Sequence, residues 1–233
     1  MKPLDAQPVP FPVPRLLTEI CMDEFLRHAI SSPAGCPLCR AAERDEYYLL
    51  VSLTRALSED RADYMLEIGP LCNFHAAIFP KVAAGKATAR LCRYLLTQQT
   101  AESGGFDDAE PSRCPICLML AARQEQWLQS FAAVLRDQRY EQLYADGDGL
   151  CLPHHRAAQA YLGGGVSDLI QRCSGAQRER LLPGLDLCIE QGHSHASPEV
   201  WGTWKRAREK LFGCSGLTIY LSLRCAEGAP WRT

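Results

Sequence analysis

No stretch of this 233-residue chain approaches the roughly 20 consecutive apolar residues that a membrane-spanning helix needs. The most suspicious piece, Gly216 to Leu223, is far too short. The opening residues also lack the apolar core of a secretory signal. Residues 1–15 form instead a proline-rich arm with Pro3, Pro8, Pro10, Pro12 and Pro14, expected to be extended and read first as a loose tail, with a docking arm for a partner as the functional alternative. The expected setting is therefore cytoplasmic, without a membrane. An excess of positive charge is missing too: 25 Lys and Arg face 27 Asp and Glu, for a net charge of −2. That argues against a nucleic-acid binder, and Lys205, Arg206, Arg208 and Lys210 read better as a solvated helix face above Trp201 and Trp204. Catalytic signatures are absent as well. There is no G-x-S-x-G, no Walker-type phosphate loop and no G-x-G-x-x-G after a strand, so neither a catalytic group set nor a small-molecule substrate is expected.

What the chain has in excess is cysteine, 12 in all. In a cytosolic protein that many cysteines more often bind metal than form disulfides. Their placement is repetitive. Cys36-Pro37-Leu38-Cys39 returns as Cys114-Pro115-Ile116-Cys117, 78 residues on. Leu71-Cys72-Asn73-Phe74-His75 returns as Leu150-Cys151-Leu152-Pro153-His154, 79 residues on. The two motifs are separated by 32 residues in the first copy and 33 in the second. Between them Leu50 matches Leu128, Leu53 matches Phe131, Leu57 matches Leu135 and Gly69 matches Gly147, and beyond them Gly85 matches Gly164. A match in ligands, apolar positions and glycines together marks an internal repeat.

The periodicity is helical. Leu49, Leu50, Leu53, Ala56 and Leu57 share one helix face, as do Trp127, Leu128, Phe131, Val134 and Leu135. Pro37 and Pro115 suit a first helical position, which makes Cys36 and Cys114 N-cap residues. Turns are expected near Ser58 to Asp60 and near Asp137 and Gln138. A further helix should run from the cap Ser197 and Pro198 to Gly213, with Trp201, Trp204, Arg208 and Leu211 on one side. Only Leu217 to Leu223 has strand-like composition. The expected fold is thus all-α: two tandem zinc-stapled helical repeats, residues 16–100 and 114–175, joined by a linker, 101–113, and followed by a C-terminal helical extension and tail, 176–233.

Three thiolates and one imidazole, in two close pairs, are a common tetrahedral zinc set. Each copy holds such a set, so the expected sites are Cys36, Cys39, Cys72 and His75, and Cys114, Cys117, Cys151 and His154. Four protein ligands leave no place for water, which favours two structural Zn2+ sites over catalytic ones. Iron–sulfur ligation remains an alternative, and His155 is an alternative to His154. Cys188, His193, His195 and Cys214, with Cys173, are candidates for a third site. Cys21 and Cys92 fall in helical apolar patterns, where a free cysteine acts as a small hydrophobe.

C-P-[LI]-C followed some thirty residues later by C-x-x-H, in a helical chain, resembles an uncharacterised family of bacterial proteins. The resemblance covers about residues 36 to 175 and implies a metal-binding helical protein with no assigned activity. The leading functional expectation is a non-enzymatic zinc-binding scaffold that binds another protein as an accessory or assembly subunit. The alternatives are a metallochaperone or redox sensor and, behind them, a transcription regulator.

Overall fold

The computed structural model describes residues 21–32, 35–59, 71–83, 85–101, 114–191 and 197–213. The proline-rich arm, the 102–113 segment, Gly69, His193, His195, Cys214 and Leu217 to Leu223 lie outside these residues. Every regular element among the described residues is a helix: α1 (Met22–Ser31), α2 (Pro37–Ser58), α3 (Asn73–Val82), α4 (Gly85–Ala101), α5 (Pro115–Val134), α6 (Gln138–Asp146), α7 (Leu152–Tyr161), α8 (Gly164–Glu179), α9 (Leu182–Gln191) and α10 (Pro198–Phe212). No helix among them is long and apolar enough to cross a membrane.

The helix starts follow local chemistry. Pro37 and Pro115 open α2 and α5, where the missing N–H of proline costs nothing. Asp137 caps α6, its carboxylate accepting from the Arg139 N–H. Gly85 and Gly164, matched in sequence, both open helices.

The chain divides into two compact units, residues 44–124 and residues 20–43 with 125–233. This differs from the tandem division expected at 16–100 and 114–175. Helices α2 and α5 are the reason: each is too long to end in the unit where it begins. α2 gives residues 37–43 to one unit and 44–58 to the other, and α5 divides between Gln124 and Glu125 in the opposite sense.

The core of the 44–124 unit gathers Leu49, Leu50, Leu53 and Leu57 of α2 with Ile78, Phe79, Leu91 and Ile116. Each such leucine contributes about 1.5–3 kcal/mol by leaving water. The Arg90 guanidinium donates to the Leu57 and Ser58 carbonyls, satisfying the open end of α2. Asp45 is fully buried. Its carboxylate accepts from the Arg123 guanidinium at 2.5 Å and pairs with Arg44 at 3.0 Å. Asp45 and Arg123 stand 78 positions apart, the spacing of the repeat.

In the other unit α1 packs on α6, α8 touches α6, α7 and α9, and α10 lies along α9 and α7. The approach of α9 to α10 is close: a Cβ on Gly184 would come within 2.5 Å of the Thr203 side chain. α10 turns Thr203 and Ala207 inward, while Trp204 and Leu211 are largely exposed. This corrects the expected orientation for Trp204, which was read with Trp201 as lying beneath the solvated face; small residues take the inner face at Thr203 and Ala207 because the two helices are so near. Cys21 and Cys92 are also exposed rather than packed.

Candidate metal centres

All eight expected ligand residues fall into two clusters, but the partners are exchanged. One cluster is Cys36, Cys39, Cys151 and His154; the other is Cys72, His75, Cys114 and Cys117. Each takes its C-P-x-C pair from one copy of the motif and its C-x-x-H pair from the other. The expectation that each copy closes its own site is therefore overturned. Geometry supplies the cause. From Cys39 to the end of α2 the chain rises about 28 Å, at about 1.5 Å per residue. In the second copy the returning helix, α6, has nine residues and recovers only about 13 Å. The C-x-x-H pair thus meets the C-P-x-C pair of the other copy, and each compact unit contains one complete set.

Every ligand sits at a helix start. Cys36, Cys72, Cys114 and Cys151 accept the first helical hydrogen bond through their carbonyls, from Arg40, Ala76, Leu118 and His155. Cys72 and Cys151 make no side-chain cap, so their sulfurs are free for ligation. Cys39, His75, Cys117 and His154 follow within the first turn. Exposed N–H groups and the helix dipole favour thiolate at such positions.

The donor spacings fit a tetrahedral ion. With Zn–S of about 2.3 Å and Zn–N of about 2.0 Å, a tetrahedron has S···S edges of about 3.8 Å and S···N edges of about 3.5 Å. His75 Nδ1 lies 3.2, 3.3 and 3.4 Å from the sulfurs of Cys72, Cys114 and Cys117, and the Cys72 and Cys117 sulfurs are 3.8 Å apart. His154 Nδ1 lies 3.2, 3.4 and 3.5 Å from Cys151, Cys39 and Cys36, and the Cys39 and Cys151 sulfurs are 3.6 Å apart. Among the described residues no third cluster forms. The cluster with Cys36, Cys39 and Cys151 takes His154 and leaves His155 outside it.

The electrostatics suit a cation. Burial opposes charge on His75, but the Cys114 thiolate and the Glu46 carboxylate outweigh it and hold the ring pKa at about 10. His154 is likewise raised to about 10 against its burial, by Cys151 and Cys36. Burial pushes the Cys114 thiol up, yet hydrogen bonding from His75 prevails and brings it down to about 6. Burial opposes ionisation of Cys36 too, and its contacts with Cys151, Cys39 and His154 still hold it well below the usual thiol value. Cys117 moves the other way, through burial and the neighbouring Cys114 and Cys72 thiolates.

Residues that the sequence did not assign to either centre complete both. Glu46 Oε1 lies 3.1 Å from His75 Nε2, and both side chains are buried. At the other centre Asp148 accepts from the Gly35 N–H, joining the approach to Cys36 with the approach to Cys151. Lys210 donates to the Asp148 carbonyl and to Gln177. Gly213, with φ of +76°, ends α10 against the sulfurs; a Cβ there would lie 3.3 Å from Cys151 Sγ and 3.4 Å from Cys39 Sγ. Asp45 and Arg123 had a signal that could have been read, since opposite charges at the repeat offset mark equivalent positions able to face each other. Lys210 was read only as part of a solvated face and Gly213 only as a helix end, because both are distant in sequence from the ligand motifs.

No protein-family model matches the chain, and neither the curated proteins nor the solved structures include a match to it.

Proposed function

We propose that this protein is a non-enzymatic zinc-binding helical scaffold that serves as an interaction or accessory subunit of a larger protein assembly. The observation that carries this reading is the pair of closed donor sets, each with three sulfurs and one imidazole nitrogen at tetrahedral spacing. Four protein donors leave no position for a reacting water, and three thiolates blunt the Lewis acidity of the ion. Such a site holds helices together and couples metal binding to folding. Zinc is favoured over redox-active metals because a borderline-soft ion with no geometric preference of its own accepts this mixed set. A protein partner is supported by the apolar side chains that α9 and α10 leave in solvent, among them Leu182, Ile189, Leu211 and Phe212.

The test has two arms. Elemental mass spectrometry on protein purified without added metal should find two zinc ions per chain. Native purification should recover a protein partner at fixed stoichiometry. Two zincs with no partner would remove the interaction role and keep the scaffold. Iron, or less than one ion per chain, would move metal or thiol handling to the front.

A further inference from the structure

The two centres share ligand types and spacing but not surroundings. His75 is only 3% exposed, and its outer ring nitrogen faces the buried Glu46 carboxylate at 3.1 Å. His154 is half-buried. Among the described residues all its hydrogen-bond contacts run through Nδ1, and none of their carboxylates pairs with its ring. The sequence carries the same asymmetry. Glu46 is followed 78 positions later by Gln124, so the second copy has an amide where the first has an acid.

A carboxylate on the outer nitrogen of a ligating histidine fixes the ring, holds the tautomer whose inner nitrogen faces the metal, and makes that nitrogen a stronger donor. Losing such a partner typically costs 10–100-fold in metal affinity. Burial adds to the effect, because a chelator or water must reach the ring before it can displace it.

Resting on the zinc reading above, we propose that Glu46 is a positioning residue that makes the centre at Cys72, His75, Cys114 and Cys117 the retaining site. The centre at Cys36, Cys39, Cys151 and His154 is the exchangeable one. The two ions then leave in a fixed order, and the chain passes through a form with one ion that still holds the 44–124 unit together.

The full chain, loaded with two equivalents of zinc, is exposed to excess chelator, and release is followed with a chromogenic dye. Two phases of one ion each are expected, the slow one about 10–100-fold slower. Alkylation midway, read by peptide mass spectrometry, should mark Cys36, Cys39 and Cys151 before Cys72, Cys114 and Cys117; this arm needs no variant. In Glu46→Gln the slow phase should accelerate by about the same factor while the fast phase stays unchanged. A merely structural role for Glu46 would shift both phases and the far-ultraviolet circular dichroism. A single phase in the unaltered chain, the reverse order of alkylation, or a slow phase untouched by Glu46→Gln overturns the proposal. Failure to take up zinc at all overturns the zinc reading, and this inference with it.

Discussion

Single residues decide which thiols come together. Cys114→Ser should reduce bound metal from two ions per chain to one. It should also leave Cys72 and Cys117 open to alkylation while Cys36, Cys39 and Cys151 stay protected. Protection of Cys72 with loss at Cys151 would contradict the exchanged pairing. Gly213→Ala meets two obstacles, the positive φ and the sulfurs of Cys151 and Cys39, which a Cβ would approach more closely than ordinary van der Waals contact. It should cost about 1–2 kcal/mol, read by denaturant titration, and loosen the Cys36 centre while sparing the Cys72 centre. Arg123→Met removes one of the guanidinium partners of the buried Asp45 and should destabilise the chain by about 3 kcal/mol. At this scale the sequence was highly legible for ligands. All eight lie in motifs whose spacing has no other economical meaning, and His154 is separated from His155 by the match to His75. Their supporting residues were not legible, because a carboxylate such as Glu46 looks like any helical glutamate until the fold brings a ring to it.

Elements turn those ligands into paired helix starts. Because every ligand lies at an N-cap or in a first turn, metal and helix dipole act on the same atoms, and the protons they displace are countable. His75, held at about pKa 10, must lose its proton to bind. Cys114 is already a thiolate above about pH 6. Metal affinity at this centre should therefore rise with pH, and below about pH 6 its dependence should steepen by about one further proton per ion, as Cys114 also becomes protonated. Competition titrations from pH 5 to 9 would show this; a flat profile would mean that these groups do not ligate. The α9–α10 contact offers a separate check. Gly184→Ala should destabilise by about 1–3 kcal/mol through collision with Thr203, and Thr203→Ala in the same chain should recover part of the loss in thermal melts. Helix positions were readable from proline, glycine and the 3.6-residue period. The buried face of α10 was not. Aromatic residues suggested one side, whereas the distance to α9 selected the small ones.

At the scale of the whole molecule, two identical spacings in one chain allow two ways of closing the sites, and local pattern treats them alike. Only the length of α2 and α5 against the short return separates them, which is why the fold class was readable and the pairing was not. The exchanged arrangement makes a sharp prediction. A protease site placed between residues 101 and 114, once cut, should leave two fragments that co-elute in size-exclusion chromatography, because both centres draw ligands from both sides of the cut. Chelator should then separate them; fragments that part while still metal-loaded would rule the arrangement out. The same connectivity nests one cross-link inside the other. Cys114 and His75 are 39 positions apart, and they lie within the 112 positions that separate Cys39 from Cys151. Closing the inner loop first shortens the chain that the outer one must gather, lowering its entropy cost. On a ribosome the order is imposed by synthesis itself: the inner set is complete once Cys117 has emerged, while the outer must wait for His154. The polypeptide is thus drawn together from its middle outward, and its first cysteine pair, made earliest, is the last to find its partners.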